Sequence, residues 1–414
     1  MKVIDQMKLF FEPDSVALIG ASRNTEEEAL NIVKAIVEYG FRGKIFPVNP
    51  LADEILGIKE YPNIGDIPEE VDLAVINTKR ELVPKLVDEC TRKGIKAIVI
   101  ITQGFADADK EGRLLQSEIT KIAKSRGARI LGPNTIGVVN AYKNFTTSFT
   151  GFEERGRLPL SGVSQTGMFL YTAFPNSPGG GPGPVGKAID LGNTVDVDFP
   201  DVLEYLGEDR DTNLIALHIE GIRNGRKFLE IAGKVSKKKP IIALKVGRSN
   251  PGAKAAISHT GSIVGEDEVY DAVFRKCGII RVEDMDELDD LSKSFLKLPL
   301  PKGNRIGIIT HVGGMAVMAA DAAYTHGLEL AKLSPETIEK LKPWFPSWLS
   351  VKNPIDIWVP SLLHGYQKLY KLVLESFLAD PNVDGIFCVI WSPCLLYTSP
   401  SPRDLSTTRM PSSA

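Results

Sequence analysis

The chain is poor in the features that mark several large classes of protein. It has only 4 cysteines, and no two of them stand in a CxxC spacing. This excludes a zinc ribbon and a disulfide framework, and it favours a reducing compartment. No apolar run approaches the roughly 20 residues of a membrane-spanning helix. The first 12 residues are charged and lack the apolar core of a signal peptide, so we expect a cytoplasmic protein without membrane contact.

Neither positive nor negative charge predominates in the chain. The 49 Lys and Arg residues nearly balance 52 Asp and Glu residues, which gives a net charge of -3 and makes nucleic acid an unexpected partner. The 43% hydrophobic content and the 37 glycines are typical of α/β enzymes. A chain of 414 residues is too long for one hydrophobic core, so we expect two or three domains.

The first 150 residues alternate short apolar runs with helical segments that end at glycine. This alternation predicts a parallel sheet with right-handed crossovers, and ligands of such sheets bind at the carboxyl ends of the strands. The G-x-G-x-x-G fingerprint is absent after the first strand, so a dinucleotide oxidoreductase is disfavoured. The residues expected at the strand ends are small or polar: Gly20, Ala21, Ser22, Asn49, Pro50, Gln103, Gly104 and Asn134.

These strand-end residues have two interpretations. Glycine allows a close approach of the backbone, and free N–H groups at a helix start can hold a phosphate. Each position could equally be ordinary turn chemistry.

A second block, from about Arg157, predicts another doubly wound unit. Its segment Ser164-Gln165-Thr166-Gly167 joins a strand to an apolar helix at 168–174, a second potential anion site, although a simple Ser or Thr N-cap is the alternative. Glu220 ends the strand Leu214–Ile219 and should face the ligand edge. A carboxylate there can fix an imidazole tautomer, or it can be a solvated strand-end residue.

His259 stands in the window Ala256-Ile257-Ser258-His259-Thr260-Gly261-Ser262, shortly before a helix predicted over Glu266–Cys277. Small neighbours leave room around its ring, and a helix N-terminus favours an anion. This pattern suits a histidine that carries a phosphoryl group; the alternative is a solvent-facing loop histidine.

A third βαβ block begins near Gly303 and stops after few strands. From Cys394 the chain is rich in Ser and Pro and lacks periodicity. This stretch resembles a translated adapter peptide found at the ends of unrelated predicted sequences. We therefore expect residues 394–414 to be an artefactual or disordered tail and the third domain to be truncated.

The ordered motifs resemble the α part of the NDP-forming acyl-CoA synthetases, also called ADP-forming acetate–CoA ligases, of the succinyl-CoA synthetase superfamily. The motifs that carry the resemblance are VALIGAS, FPVNP, KAIVIITQGF, RILGPNTIGVVN, VSQTG, ALHIEGI, ISHTGSIVGEDEVYDAVFRKCGIIRV, NRIGIITHVGG and NPIDI. The resemblance implies a Rossmann-like CoA-binding domain (1–150), then two flavodoxin-like, succinyl-CoA synthetase-like parallel-sheet domains (151–300 with the phosphohistidine, and 301–393, incomplete).

The resemblance also implies a reaction. Acyl-CoA, phosphate and ADP would be converted reversibly to a carboxylic acid, CoA and ATP, through an acyl phosphate and a phosphohistidine. His259 would be phosphorylated, Glu220 would orient it, and Ser164, Gln165, Thr166 and Gly167 would hold phosphate. The strand-end residues of the first domain would bind CoA.

The nucleotide and Mg²⁺ would be bound by an ATP-grasp partner, fused or separate, in a hetero-oligomer. No metal ligand is expected in this chain. Asn77, Thr78 and Lys79 replace a more apolar strand end of the family at the CoA edge. The alternative function is a regulatory module that binds CoA or acyl-CoA without catalysis.

Overall fold

The computed structural model describes residues 1–22, 24, 31–50, 54–148, 158–167, 185–249, 251–252 and 266–389. The chain divides into two compact units, Met1–Leu298 and Pro299–Ala414. Each unit contains parallel β-sheet covered by helices, so the predicted α/β class is confirmed.

The first sheet of the first unit has five parallel strands. The elements of this region are, in chain order, α1 (Val3–Phe11), β1 (Ser15–Ile19), α2 (Ile32–Glu38), β2 (Lys44–Val48), β3 (Glu54–Ile55), β4 (Ile58–Lys59), β5 (Leu73–Ile76), α3 (Val83–Arg92), β6 (Ala97–Ile100), α4 (Lys110–Ser125) and β7 (Arg129–Leu131). The sheet order is β2-β1-β5-β6-β7, and β3 and β4 form a separate antiparallel hairpin. The strand order reverses beside β1, which is where ligands of doubly wound sheets bind.

The local sequence explains these elements. Every residue of β5 and β6 is buried, as expected for strands covered on both faces. Helix α4 begins after Asp109, whose carboxylate accepts a hydrogen bond from Gly112 N (2.7 Å) and so caps the helix. Helix α1 is not predicted by the sequence analysis, which treats the N-terminus only as charged.

The second sheet belongs to the same unit and has seven strands. Its region contains β8 (Val138–Asn140), β9 (Phe145–Thr146), β10 (Leu158–Ser164), β11 (Val185–Asp190), α5 (Phe199–Glu208), β12 (Leu214–Ile219), α6 (Gly225–Val235), β13 (Ile241–Lys245), α7 (Asp267–Cys277), β14 (Ile280–Val282) and α8 (Met285–Lys297). The order is β14-β13-β12-β10-β11-β8-β9. The first five strands in this order are parallel, and β8 and β9 extend the sheet as an antiparallel edge that the sequence analysis does not anticipate.

Helix boundaries in this region follow from capping. Asp198 and Asp201 form a capping box at the start of α5. Helix α7 ends at Gly278 in the left-handed conformation (φ +70°), as its sequence predicts. The predicted helix at 168–174 lies outside the described residues.

The second unit contains a four-stranded sheet in which every pairing is parallel. Its elements are β15 (Arg305–Thr310), α9 (Gly313–Thr325), β16 (Glu329–Leu330), α10 (Pro335–Leu341), β17 (Ile355–Asp356), α11 (Trp358–His364), α12 (Tyr366–Ala379) and β18 (Gly385–Val389). Strand β15 pairs with β16, β17 and β18. The predicted third βαβ block is therefore present. Within the described ranges, no helix is long and apolar enough to cross a membrane.

Candidate functional site

The predicted CoA-edge residues lie together at the carboxyl end of the first sheet. Asn49 Nδ2 donates to the carbonyl oxygen of Ala21 (3.0 Å), which joins the loops after β2 and β1. Gly20 adopts φ +84°, and a Cβ at this position would lie 2.3 Å from the carbonyl oxygen of Asn77 after β5. Asn134 N in turn donates to the carbonyl oxygen of Thr102 after β6 (3.0 Å). The loops after β2, β1, β5, β6 and β7 thus form one continuous edge.

Two predicted residues, Ser22 and Pro50, are exposed at this edge. The carbonyl oxygen of Ser22 accepts a hydrogen bond from Asn31 Nδ2 (2.8 Å), and Asn31 also caps α2. Ser22 is therefore held at the start of the helix that follows β1, the position where backbone N–H groups favour an anion.

An open cleft of about 510 Å³ lies beside Gln103 at the same edge. Its wall includes Asn77, Thr78 and Lys79, the positions at which the sequence departs from the family pattern, together with Arg80. Arg80 is engaged by acceptors: its Nη1 donates to the carbonyl oxygen of Gly104 (2.8 Å) and to Asp109 (2.8 Å). Arg80 is not named by the sequence analysis, whereas Lys79 is named there only as a departure from the family pattern at the CoA edge.

The loop that carries Gln103 and Gly104 is held by a carboxylate that the sequence analysis leaves unassigned. Asp107 accepts hydrogen bonds from Gly104 N (3.2 Å), Phe105 N (3.0 Å) and Asn193 Nδ2 (2.6 Å). Asn193 stands after β11 of the second sheet, so Asp107 links the two sheets. A nearby contact strengthens this link, because Asn134 Nδ2 donates to Asn193 Oδ1 (3.4 Å).

Asp190, the last residue of β11, holds the loop after β7 and the turn after β11, which carry Asn134 and Asn193. Its carboxylate accepts hydrogen bonds from Ile136 N (2.8 Å) and Gly192 N (3.1 Å). Burial raises the pKa of the Asp190 carboxyl from 3.8 to about 6, because desolvation outweighs these hydrogen bonds and the charge of Glu220 adds to it. Asp190 is thus a buried acid at the edge shared by the two sheets.

The predicted phosphate segment stands at the end of β10, in register with Asp190. The hydroxyl of Ser164 donates to the carbonyl oxygen of Thr166 (2.8 Å) and closes the turn. A Cβ at Gly167 would lie 2.6 Å from Ile136 Cγ2, so the close approach of this segment to the loop after β7 requires glycine. Gln165 is buried and points away from solvent.

Gln165 connects the phosphate segment to Glu220. Its Oε1 accepts hydrogen bonds from Glu220 N (2.7 Å) and Gly221 N (2.9 Å). Glu220 is 5% exposed, so the alternative of a solvated strand-end glutamate is wrong. A carboxylate buried beside the end of β10 can accept a hydrogen bond from an imidazole N–H or keep a charge in a region of low dielectric.

Lys245, the last residue of β13, is a further buried charge near Glu220 that the sequence analysis misses. Burial lowers the pKa of Lys245 from 10.5 to about 8, and Asp267 and Glu220 act in the opposite direction. The sequence indicates this buried lysine only weakly, because the lysine ends an otherwise apolar strand.

His259 lies outside the described residues, so its predicted role stays a prediction. In the part of the chain that the structure describes, no group of three or more His, Cys, Asp and Glu residues could hold a metal ion.

Comparison with known proteins identifies two domain types in this chain. Residues 14–141 match the profile of a CoA binding domain, and residues 158–295 match a succinyl-CoA ligase like flavodoxin domain. These matches define the class: a CoA-binding domain followed by a domain of the succinyl-CoA ligase type.

Relatives in this class are similar over most of the chain. ADP-forming acetate–CoA ligase II of Archaeoglobus fulgidus is 42% identical over 95% of this chain and 58% of the relative. The α subunit of ADP-forming acetate–CoA ligase II of Pyrococcus furiosus is 38% identical over 95% of this chain and 84% of the relative. The chain belongs to the ADP-forming acetate–CoA ligase family. It spans little more than half the length of the Archaeoglobus relative.

A solved structure agrees with this assignment. The dinucleotide forming acetyl-coenzyme A synthetase 1 of Ca. Korarchaeum cryptofilum, in complex with phosphate and ADP, superimposes with a TM-score of 0.82 at 32% identity. The alignment covers 92% of this chain and 81% of that chain. The fold of this chain is therefore that of the family.

Proposed function

We propose that this chain is the CoA-binding and phosphohistidine-carrying part of an ADP-forming acyl-CoA ligase. The observation that carries the proposal is the pair of hydrogen bonds from Glu220 N and Gly221 N to Gln165, which places a buried carboxylate next to the predicted phosphate segment. The hydrogen-bonded link through Asp107 and Asn193 brings the predicted CoA edge to the same region. The names of the relatives support the same activity.

The proposed chemistry balances in three steps. A phosphate oxygen attacks the thioester carbonyl, the C–S bond breaks, and CoA leaves as the thiol with the proton of the phosphate. A ring nitrogen of His259 then attacks phosphorus, and the carboxylic acid leaves as its carboxylate. Finally the β-phosphate of ADP attacks the phosphohistidine, which forms ATP and restores the imidazole.

In this scheme each group of residues has one task. Glu220 accepts the ring N–H of His259 and stabilises the positive charge that develops on the phosphorylated ring. Ser164, Gln165, Thr166 and Gly167 hold the phosphate at the end of β10. The residues of the first edge bind CoA: Gly20, Ala21, Ser22, Asn49, Pro50, Gln103, Gly104 and Asn134.

The remaining part of the reaction belongs to a partner. We propose an ATP-grasp domain, fused or as a separate β subunit, that binds ADP and Mg²⁺ and forms a hetero-oligomer with this chain. The relatives include a protein named as an α subunit and a longer chain, which is consistent with either arrangement. We propose that the reaction takes place in the cytoplasm.

Phosphoryl labelling tests the proposal. The chain, combined with its ATP-grasp partner, is incubated with γ-labelled ATP, or with acetyl-CoA and labelled phosphate. We expect an acid-labile, base-stable label on this chain that His259→Asn abolishes. His326→Asn, at an exposed histidine of the second unit, is the matched control and should keep the label.

The outcomes separate the two functions. A label that persists in His259→Asn would overturn the assignment of the nucleophile. No label in the wild type, with CoA binding intact, would instead favour a regulatory module that binds CoA without catalysis.

A further inference from the structure

Lys245 is a fully buried lysine whose environment differs from that of the other fully buried lysine among the described residues. Both side chains are 1% exposed. Lys187 is paired directly with the carboxylate of Asp209 (2.6 Å). Lys245 Nζ instead donates to the carbonyl oxygen of Val246 and lies 4.7 Å from the centre of the Tyr270 ring. Burial of an ammonium group costs free energy unless the charge is compensated. The site around Lys245 is therefore one at which a nearby negative charge would be stabilising.

The strand register places Lys245 beside the residue that precedes Glu220. Lys245 pairs with Ile219, and Val246 N donates to the carbonyl oxygen of Ile219 (3.1 Å). Glu220 is the next residue of the neighbouring strand. Lys245 and Glu220 therefore stand at the same ends of two adjacent parallel strands.

The Glu220 turn is held from two sides. On one side, Gln165 Oε1 accepts hydrogen bonds from Glu220 N and Gly221 N, the first two N–H groups of the turn. On the other side the hydroxyl of Tyr270 accepts a hydrogen bond from Ile222 N (3.1 Å). Since the ammonium of Lys245 lies over the same Tyr270 ring, Lys245 and Tyr270 form one support for the turn.

Charged groups on four neighbouring segments of the described chain influence Lys245. Asp267 on α7 and Glu220 after β12 favour its charged form, whereas Arg281 on β14 and Arg248 after β13 oppose it. Burial is the largest influence and brings the pKa of Lys245 to about 8. The lysine is thus charged at neutral pH, and it loses its proton within an accessible pH range.

We propose that Lys245 is a positioning residue for the phosphohistidine step, acting through Glu220 and Tyr270 to offset the negative charge that a phosphoryl group brings to this edge. This inference rests on the proposed function. A phosphoryl group adds up to about two negative charges beside the carboxylate of Glu220. A cation on the neighbouring strand end reduces the repulsion, and in a buried site this effect is larger than in water.

The pH dependence follows from linkage. Phosphorylation adds negative charge, so it raises the pKa of Lys245 and favours uptake of a proton by the lysine. Above about pH 8, Lys245 of the unphosphorylated protein is neutral. Phosphorylation at this pH then requires either that Lys245 takes up a proton or that the phosphoryl group is accommodated without the cation. The equilibrium amount of phosphoenzyme should therefore fall as the pH rises above this value.

The test measures the equilibrium level of the acid-labile label from about pH 6 to about pH 10, with the chain and its ATP-grasp partner together. The wild type should show a fall above about pH 8. Lys245→Met should carry about tenfold less label at neutral pH and lack this fall. Lys245→Arg, which stays charged, should keep the label to higher pH than the wild type.

The matched control is Lys239→Met, which removes a partly buried lysine two residues before the same strand. Lys239 donates to the carbonyl oxygen of Leu206 (2.5 Å), so its loss should affect stability. A purely structural role of Lys245 would resemble this control: less folded protein and an unchanged pH profile per folded molecule.

Each outcome decides the inference. A pH profile of Lys245→Met equal to that of the wild type would overturn it and leave the proposed function intact. If Lys245→Met does not fold, Lys245→Arg decides, because an alkaline fall equal to that of the wild type would overturn the inference as well. Absence of label in the wild type would reject the proposed function itself.

Discussion

The side-chain oxygen of Gln165 accepts the backbone N–H groups of both Glu220 and Gly221, 55 and 56 residues further along the chain. Gln165 belongs to the predicted phosphate segment, and Glu220 is the predicted partner of His259. One buried amide thus fixes the spacing between two parts of the proposed site. Buried N–H groups that lose their acceptor are costly, so this contact determines both stability and geometry.

Replacing Gln165 by leucine tests this contact. Leucine has a similar size but no acceptor, and it leaves two N–H groups buried and unpaired. We expect a loss of about 2–4 kcal/mol in the free energy of unfolding. Urea unfolding measures the loss, and the phosphoryl label per folded molecule should decrease because Glu220 is no longer held.

The control for Gln165→Leu is Gln103→Leu, the same chemical change at an exposed glutamine. Its stability should change by less than about 0.5 kcal/mol. Similar losses in both variants would mean that the hydrogen bonds to Glu220 and Gly221 add little.

Asp107→Ala tests the link between the two sheets. The substitution removes the acceptor of Gly104 N, Phe105 N and Asn193 Nδ2, so the loop that carries Gln103 is no longer fixed. We expect CoA affinity to fall about tenfold, equal to the loss of roughly one good hydrogen bond. Isothermal titration with CoA measures this change.

Asp66→Ala is the control for Asp107→Ala, because Asp66 is an exposed carboxylate of the same domain that bonds to Asn63 (2.9 Å). It should bind CoA as the wild type does. An Asp107→Ala protein with unchanged affinity would show that the Gln103 loop does not need this anchor for CoA.

The sequence analysis predicts the parallel strands well because their signal is local. Strands such as Leu73–Ile76 and Ala97–Ile100 are short apolar runs that end before polar or glycine residues, and burial on both faces requires this pattern. Helix α1 (Val3–Phe11) is missed because the N-terminus is considered only as a signal-peptide candidate, although just Asp5 and Lys8 of its nine residues are charged. The buried residues Met7, Phe10 and Phe11 are three and four positions apart, which is the spacing of one helix face.

The contacts of the site could not be predicted in the same way. The bonds from Glu220 N to Gln165 and from Asn193 Nδ2 to Asp107 join positions 55 and 86 residues apart. Local patterns carry no information on such pairs, which arise only when adjacent strands place their ends together. The ligand edge is predictable because the carboxyl ends of parallel strands meet there, whereas the partners of Asp190 and Lys245 are not predictable.

Asp190 should make stability depend on pH. Burial raises the pKa of its carboxyl from 3.8 to about 6, so the folded state binds a proton more tightly than the unfolded state. The stabilising contribution is present at low pH and is lost as the pH rises through about 4 to 6, with a slope of at most about 1.4 kcal/mol per pH unit. Asp190→Asn, which does not titrate, should lack this slope.

Urea unfolding of the wild type and Asp190→Asn at several pH values between about 4 and 7 measures the effect. The stability of the wild type relative to the variant should decrease as the pH rises. A constant difference over this range would mean that the carboxyl of Asp190 is ionised throughout, and that its hydrogen bonds to Ile136 N and Gly192 N outweigh burial.

Gly20 and Gly57 separate the effect of backbone conformation from that of close packing. Both have positive φ values, +84° and +75°, but a Cβ at Gly20 would lie 2.3 Å from the carbonyl oxygen of Asn77, whereas a Cβ at Gly57 would have no neighbour within 4 Å. Gly57→Ala should cost about 1–2 kcal/mol, the penalty of the left-handed conformation alone. Gly20→Ala should cost at least about 2 kcal/mol more, because the backbone of β1 and β5 must separate, and it should weaken CoA binding at the edge that these strands form.

Urea unfolding and CoA titration of the two variants measure both effects. Equal stability losses would contradict the role of Gly20 in the close approach of the two loops and would leave only its conformation as the reason for glycine.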